Sequence, residues 1–140
     1  MTGMMSLAGS TSVLIVEDDS IIAWHLRSMV ERLGFAVCAA VATEQAAVDA
    51  AQQHEPAVVL MDVRLAAGGD GVRAAEAIYA ARPVPIIFCT AHAQDPGFRS
   101  RAASLPTAAV LGKPIQERLL KEAIAQFLGG SEDSNAGVAR

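Results

Sequence analysis

Ala57-Val58-Val59-Leu60-Met61 is an unbroken apolar run closed by Asp62. Apolar residues without alternation are what a strand shows when helices cover both its faces. An acid directly after such a strand stands at the carboxyl edge of a parallel sheet, where open α/β sheets bind their ligands. Three further runs share this form. Val13-Leu14-Ile15-Val16 leads into Glu17-Asp18-Asp19, Pro85-Ile86-Ile87-Phe88-Cys89 into Thr90, and Ala108-Ala109-Val110-Leu111 into Gly112-Lys113-Pro114. Phe35 to Val41 is a fifth candidate strand with a less regular pattern.

Helical spacing fills the intervals. Ile21, Ile22, Leu26, Met29, Val30 and Leu33 recur on one face, and Gly34 follows where a helix commonly ends in a left-handed residue. Thr43 can cap a second helix running to about Gln53, and Asp70 or Gly71 opens a third ending near Ala81. Pro96 and Gly97 are expected to interrupt the fourth, leaving a short helix between about Phe98 and Ala103. The fifth spans Ile115 to Leu128. Strands alternating with helices predict an α/β chain, (βα)5, with a parallel sheet.

The whole chain has 140 residues, of which 52% are hydrophobic and 19% charged, the profile of one globular domain. Residues 12–128 carry the pattern, with loose tails expected at 1–11 and 129–140. A net charge of −4 has the wrong sign for binding a phosphate backbone, so nucleic acid is not an expected partner. No apolar run approaches the roughly 20 residues that cross a bilayer, and no membrane partner is expected. Cys38 and Cys89 lie in apolar runs, as small buried hydrophobes in a reducing cytoplasm would.

If strands one, three, four and five are neighbours, Glu17, Asp18, Asp62, Thr90 and Lys113 converge on one crevice. Two carboxylates about 4 Å apart repel by roughly 4 kcal/mol at an effective dielectric near 20, so the cluster needs a cation. Hard oxygen donors without an organised His or Cys set favour Mg2+, and Mg2+ implies phosphoryl chemistry.

With Val-Glu-Asp-Asp at 16–19, Met-Asp-Val-Arg at 61–64, Phe-Cys-Thr-Ala at 88–91 and Gly-Lys-Pro at 112–114, the chain resembles a receiver domain of the two-component response regulator family. The resemblance runs from about Ser12 to Leu128. It implies a doubly wound, flavodoxin-like sheet of strand order 2-1-3-4-5. It also implies that Asp62 accepts a phosphoryl group from a sensor histidine kinase or histidine phosphotransfer protein. Mg2+ would be held directly by Asp18 and Asp62, through water by Glu17, and by the backbone carbonyl of Arg64. Lys113 would hold a phosphoryl oxygen, Thr90 would donate its hydroxyl, and Lys113-Pro114 would be cis. Arg64 and His92 fall where side chains line the approach to the phosphoryl group. Val110 occupies a position that in many receivers is an aromatic switch. A subgroup of stand-alone receivers reads Phe-Ala-Thr-Gly plus an aromatic at strand four, which Phe88 to His92 match in part.

Blander readings exist for the same residues. Asp19 is better explained as a helix cap than as a ligand. Gly68-Gly69-Asp70-Gly71 lacks the ending of a phosphate loop and reads as a flexible loop. Cys89-x-x-His92 lacks a second ligand pair, so zinc is not expected. His25 and His54 read as helix-surface residues, and Trp24 as packing or a contact to a downstream protein. After Leu128 too few residues remain for an output domain, so the expectation is a stand-alone regulator. Three rivals stand beside it. A dehalogenase-type phosphatase needs a second acid where Arg64 stands, and a flavodoxin-like electron carrier lacks its hydroxyl-rich loop. A degenerate receiver would act as an unphosphorylated interaction module, a reading that Val110 invites.

Overall fold

The computed structural model of the chain describes residues 11–106 and 108–128. Strands β1 (Ser12–Val16), β2 (Ala36–Val41), β3 (Val58–Met61), β4 (Ile86–Thr90) and β5 (Ala108–Gly112) form one parallel sheet. Their order is β2-β1-β3-β4-β5, the doubly wound arrangement expected from the sequence. Helices α1 (Ser20–Arg32), α2 (Glu44–His54), α3 (Gly71–Ala81), α4 (Pro96–Ala102) and α5 (Glu117–Leu128) alternate with the strands. The tails expected at 1–11 and 129–140 lie outside the described residues, residue 11 excepted.

The continuous apolar runs are explained by what lies above and below them. Successive residues of a strand point to opposite faces, so each strand feeds two cores. Val13, Ile15, Leu60 and Ile87 pack with Leu26 and Val30 of α1 and Leu120 and Ile124 of α5. Leu14, Val59, Met61 and Phe88 pack on the other face, against alanines of α2 and α3 and against Ile78 and Phe98. Each fully buried large side chain contributes about 1.5–3 kcal/mol.

The edge strand β2 differs, and its pattern explains its weaker signal. It begins at Ala36, not Phe35, and none of its residues is buried. The pairing with β1 skips one residue, Val13 facing Val37 and Leu14 facing Ala39, which leaves Cys38 at a bulge. Cys38 is therefore half-buried, its thiol 3.5 Å from the Val13 carbonyl, and not the core residue expected. Cys89 is buried, and burial pushes its thiol up to about 12.

Helix ends follow their caps. Asp19 accepts from the N–H groups of Ile21 and Ile22, and Thr43 from that of Ala46, as expected of N-caps. After α1, Gly34 adopts φ 95°, and Phe35 N–H returns to the Val30 carbonyl at 3.2 Å. Helix α5 begins two residues later than the apolar pattern suggests, at Glu117 rather than Ile115.

Two expectations are corrected. Pro96 and Gly97 do not interrupt α4; they form its first turn, with Asp95 as N-cap accepting from Phe98 N–H at 2.9 Å. Proline suits a first turn because its missing N–H would have no intrahelical acceptor there. Gly68 to Gly71 is not a loose loop: Gly69–Asp70 pairs antiparallel with Arg64–Leu65 in a small hairpin. Positive φ at Ala67 (61°) and Gly68 (73°) closes its turn.

Candidate functional site

All five strands are parallel, so their carboxyl ends share one edge of the sheet. Glu17 follows β1 and Asp62 follows β3, while their preceding residues, Val16 and Met61, are register partners. The Asp62 N–H donates to the Val16 carbonyl at 2.9 Å, which sets the acid beside Glu17. Thr90 ends β4, and Lys113 N–H donates to its carbonyl at 2.9 Å. The convergence predicted from the four strand ends is therefore present.

Glu17, Asp62 and Thr90 are buried, whereas Asp18 is exposed. Carboxylate oxygens of Glu17, Asp18 and Asp62 lie within 4.8 Å of one another. The Lys113 ammonium donates to Glu17 Oε1 at 2.8 Å and to Asp62 Oδ2 at 3.2 Å. Val63 N–H binds the other Asp62 oxygen at 2.8 Å, so the carboxylate is held at both ends. Thr90 Oγ1 accepts from His92 N–H at 3.0 Å, leaving the hydroxyl proton to donate. Lys113-Pro114 is cis, as expected.

The charges do not balance within this set. With all three carboxylates ionised, a single ammonium would leave a deficit of the size that a divalent ion fills. Burial raises the Glu17 carboxyl to about 7, helped by neighbouring Asp62 and opposed by Lys113 and the Asp19 N–H. Burial acts to lower the Lys113 ammonium, but the hydrogen bond to Glu17 and the charge of Asp62 outweigh it, and the net direction is up. The ammonium thus stays charged.

The donor set suits a small hard cation, being carboxylate oxygen throughout. The hairpin leaves one backbone oxygen outside its own ladder. Gly71 N–H bonds the Val63 carbonyl at 2.7 Å, one step outside the Arg64–Asp70 pair, so that pair is of the non-hydrogen-bonded type. The Arg64 carbonyl is therefore not consumed by the ladder. The Arg64 and His92 side chains are exposed, and Val110 is half-buried against the core. Among the described residues Cys89 and His92 join no metal-ligand group.

Some features escaped the sequence reading. A β-carbon on Gly71 would lie 1.8 Å from the Asp62 carbonyl oxygen, so the first residue of α3 must be glycine for the acid to sit where it does. Beyond it runs a chain of ion pairs: Arg73 to Glu44 at 2.6 Å and Arg101 to Asp70 at 2.5 Å. Only the Asp70-Gly71 helix start hinted at either. Trp24, 68% exposed, lines a groove with Glu17, Asp18, Ala23 and Arg27 beside the acidic cluster. His25 and His54 are exposed on their helices.

Among the described residues no helix is long and apolar enough to cross a membrane. The family model of the response regulator receiver domain matches residues 13–125. The phyllosphere-induced regulator PhyR of Methylorubrum extorquens is 34% identical over 121 residues, covering 85% of this chain. The chain spans 44% of that protein's length. The solution structure of the Erythrobacter litoralis PhyR receiver domain superposes with a TM-score of 0.75 at 36% identity, covering 86% of this chain and 91% of that one. The receiver domain of the Pseudomonas aeruginosa sensor histidine kinase PA1611 does so with a TM-score of 0.75 at 31% identity, covering 85% and 98%. That receiver holds a magnesium ion in its active-site cleft. From sheet order, acidic edge and family match together, the chain belongs to the response regulator receiver domains, the signalling modules of two-component systems.

Proposed function

We propose that the chain takes a phosphoryl group onto Asp62 from the phosphohistidine of a sensor histidine kinase or histidine phosphotransfer protein. The modified chain then signals by contact with a downstream protein or passes the group on, in a cytoplasmic setting. The observation that carries this reading is the Lys113 ammonium bonded to both Asp62 and Glu17 within the acidic cluster.

An Asp62 carboxylate oxygen attacks phosphorus as the P–N bond breaks, and the electron pair returns to the imidazole nitrogen, leaving an acyl phosphate. Asp18 and Asp62 directly, Glu17 through water and the Arg64 carbonyl are the groups that would hold Mg2+. When bound, Mg2+ supplies neutralisation of charge on the phosphoryl oxygens. Lys113 adds a point charge to one of those oxygens, and Thr90 turns its O–H toward another. Arg64 and His92, both exposed, set the lifetime of the acyl phosphate by shielding it from water or admitting water.

Incubation with a small phosphodonor and Mg2+ should add about 80 Da, one phosphoryl group, to the intact mass. Asp62→Asn should show no adduct. An adduct that persists in Asp62→Asn removes the acceptor assignment. No adduct on the unaltered chain favours the degenerate interaction module to which Val110 pointed. Unchanged dephosphorylation rates in Arg64→Ala and His92→Ala would remove the lifetime assignment.

A further inference from the structure

Helix α4 is tied at its start to Thr90, at the end of β4, and at its far end to the hairpin that carries Arg64. At its start, Asp95 caps the helix, and Asp95 N–H donates to the His92 carbonyl at 3.0 Å. His92 N–H in turn binds the Thr90 hydroxyl oxygen at 3.0 Å. At the other end, Arg101 Nη2 lies 2.5 Å from Asp70 Oδ2. Between these ties Phe98 is buried edge-on against Phe88, ring centres 5.4 Å apart.

Asp70 is held from three sides. Its Oδ1 accepts from Val72 and Arg73 N–H at 2.9 and 3.2 Å, capping α3. Its own N–H donates to Glu44 at 3.1 Å, and its second oxygen takes Arg101. Directly across the hairpin from Asp70 stands Arg64, in the close-spaced type of antiparallel pair. A displacement of Asp70 is thus passed through the backbone to Arg64.

We propose that Arg101 is a positioning residue for the metal centre: by holding Asp70 it fixes the Arg64 carbonyl at the acidic cluster, and so couples α4 to cation binding. This rests on the ligand set proposed above. Coupling between two sites is reciprocal, so an ion seated on the Arg64 carbonyl tightens α4 by as much as α4 tightens the ion. The chain thereby has a path from the pocket to its outer surface that does not pass through Val110.

The test is Mg2+ titration of the full chain by calorimetry, with Arg101→Ala, Arg101→Lys, Asp70→Ser and the Arg101→Ala/Asp70→Ser double variant. Serine keeps the helix cap and removes the carboxylate. Arg101→Ala should weaken Mg2+ roughly two- to fivefold, the range of a half-exposed ion pair. Arg101→Lys should recover part of the loss, and the double variant should be no weaker than the worse single one. Hydrogen exchange of residues 96–102 should slow with Mg2+ in the unaltered chain and not in Asp70→Ser. Unchanged Mg2+ affinity in Arg101→Ala, or additive losses in the double variant, overturns the coupling while leaving the metal centre standing, provided Asp18→Asn abolishes binding. Absence of Mg2+ binding to the unaltered chain overturns the metal centre and the coupling together.

Discussion

Gly71 lies over Asp62 so closely that a β-carbon would come within 1.8 Å of the acid's carbonyl oxygen. The contact is with backbone, which cannot rotate away as a side chain would. Gly71→Ala should therefore destabilise the fold at the upper end of the ~1–3 kcal/mol usual for over-packing, read as a lower urea midpoint. Phosphorylation should slow in the same variant under conditions where it remains folded. A midpoint equal to that of the unaltered chain would show that the segment yields without cost.

Lys113 is the counter-charge for two buried acids, Glu17 and Asp62. Lys113→Met leaves them facing each other, a loss of about 1–3 kcal/mol once partial protonation relieves the repulsion. Mg2+ held in the folded pocket, as proposed, should shrink that deficit. Melting in EDTA and in Mg2+ checks this. An equal deficit in both buffers would separate the lysine from the cation site.

The Glu17 carboxyl, ordinarily near 4.5, is raised to about 7 by burial. Between those values the folded chain binds more protons than the unfolded one, so stability falls as pH rises through that window. In metal-free buffer Glu17→Gln should therefore gain stability at pH 8, by at most about 3 kcal/mol, and gain little near pH 4.5. Urea midpoints at the two pH values decide it, and an equal effect at both would contradict the burial cost.

Glu44 shows the opposite sign. The Arg73 guanidinium, with the Asp70 N–H, holds its carboxyl down at about 2. Its stabilising effect is present above 4.5 and is lost as pH falls toward 2. Glu44→Gln should flatten acid destabilisation in that window in chemical denaturation at several pH values. A slope equal to that of the unaltered chain would show the ion pair contributes nothing.

The strands were legible because β1, β3 and β4 are sealed on both faces, and sealing writes an unbroken apolar run, whereas their order was implied only by the family resemblance of the motifs at the strand ends. The polar residues ending those runs marked the pocket, since one parallel sheet gathers its carboxyl ends at one edge. β2 was harder to read because an edge strand with a bulge at Cys38 carries a diluted pattern. The hairpin at Arg64 to Asp70 was illegible for a different reason. Strands of two residues have no periodicity, and the contacts that brace it, the Asp70 N–H to Glu44 and the Asp70–Arg101 ion pair, join residues far apart along the chain.

Trp24 is the chain's single tryptophan, and its indole stands largely in water at the lip of the groove that Glu17 and Asp18 share. The molecule thus comes with its own dye beside the place where charge arrives. Its emission should change as an ion seats and again as the phosphoryl group comes and goes, so stopped-flow fluorescence can time both events without attached labels.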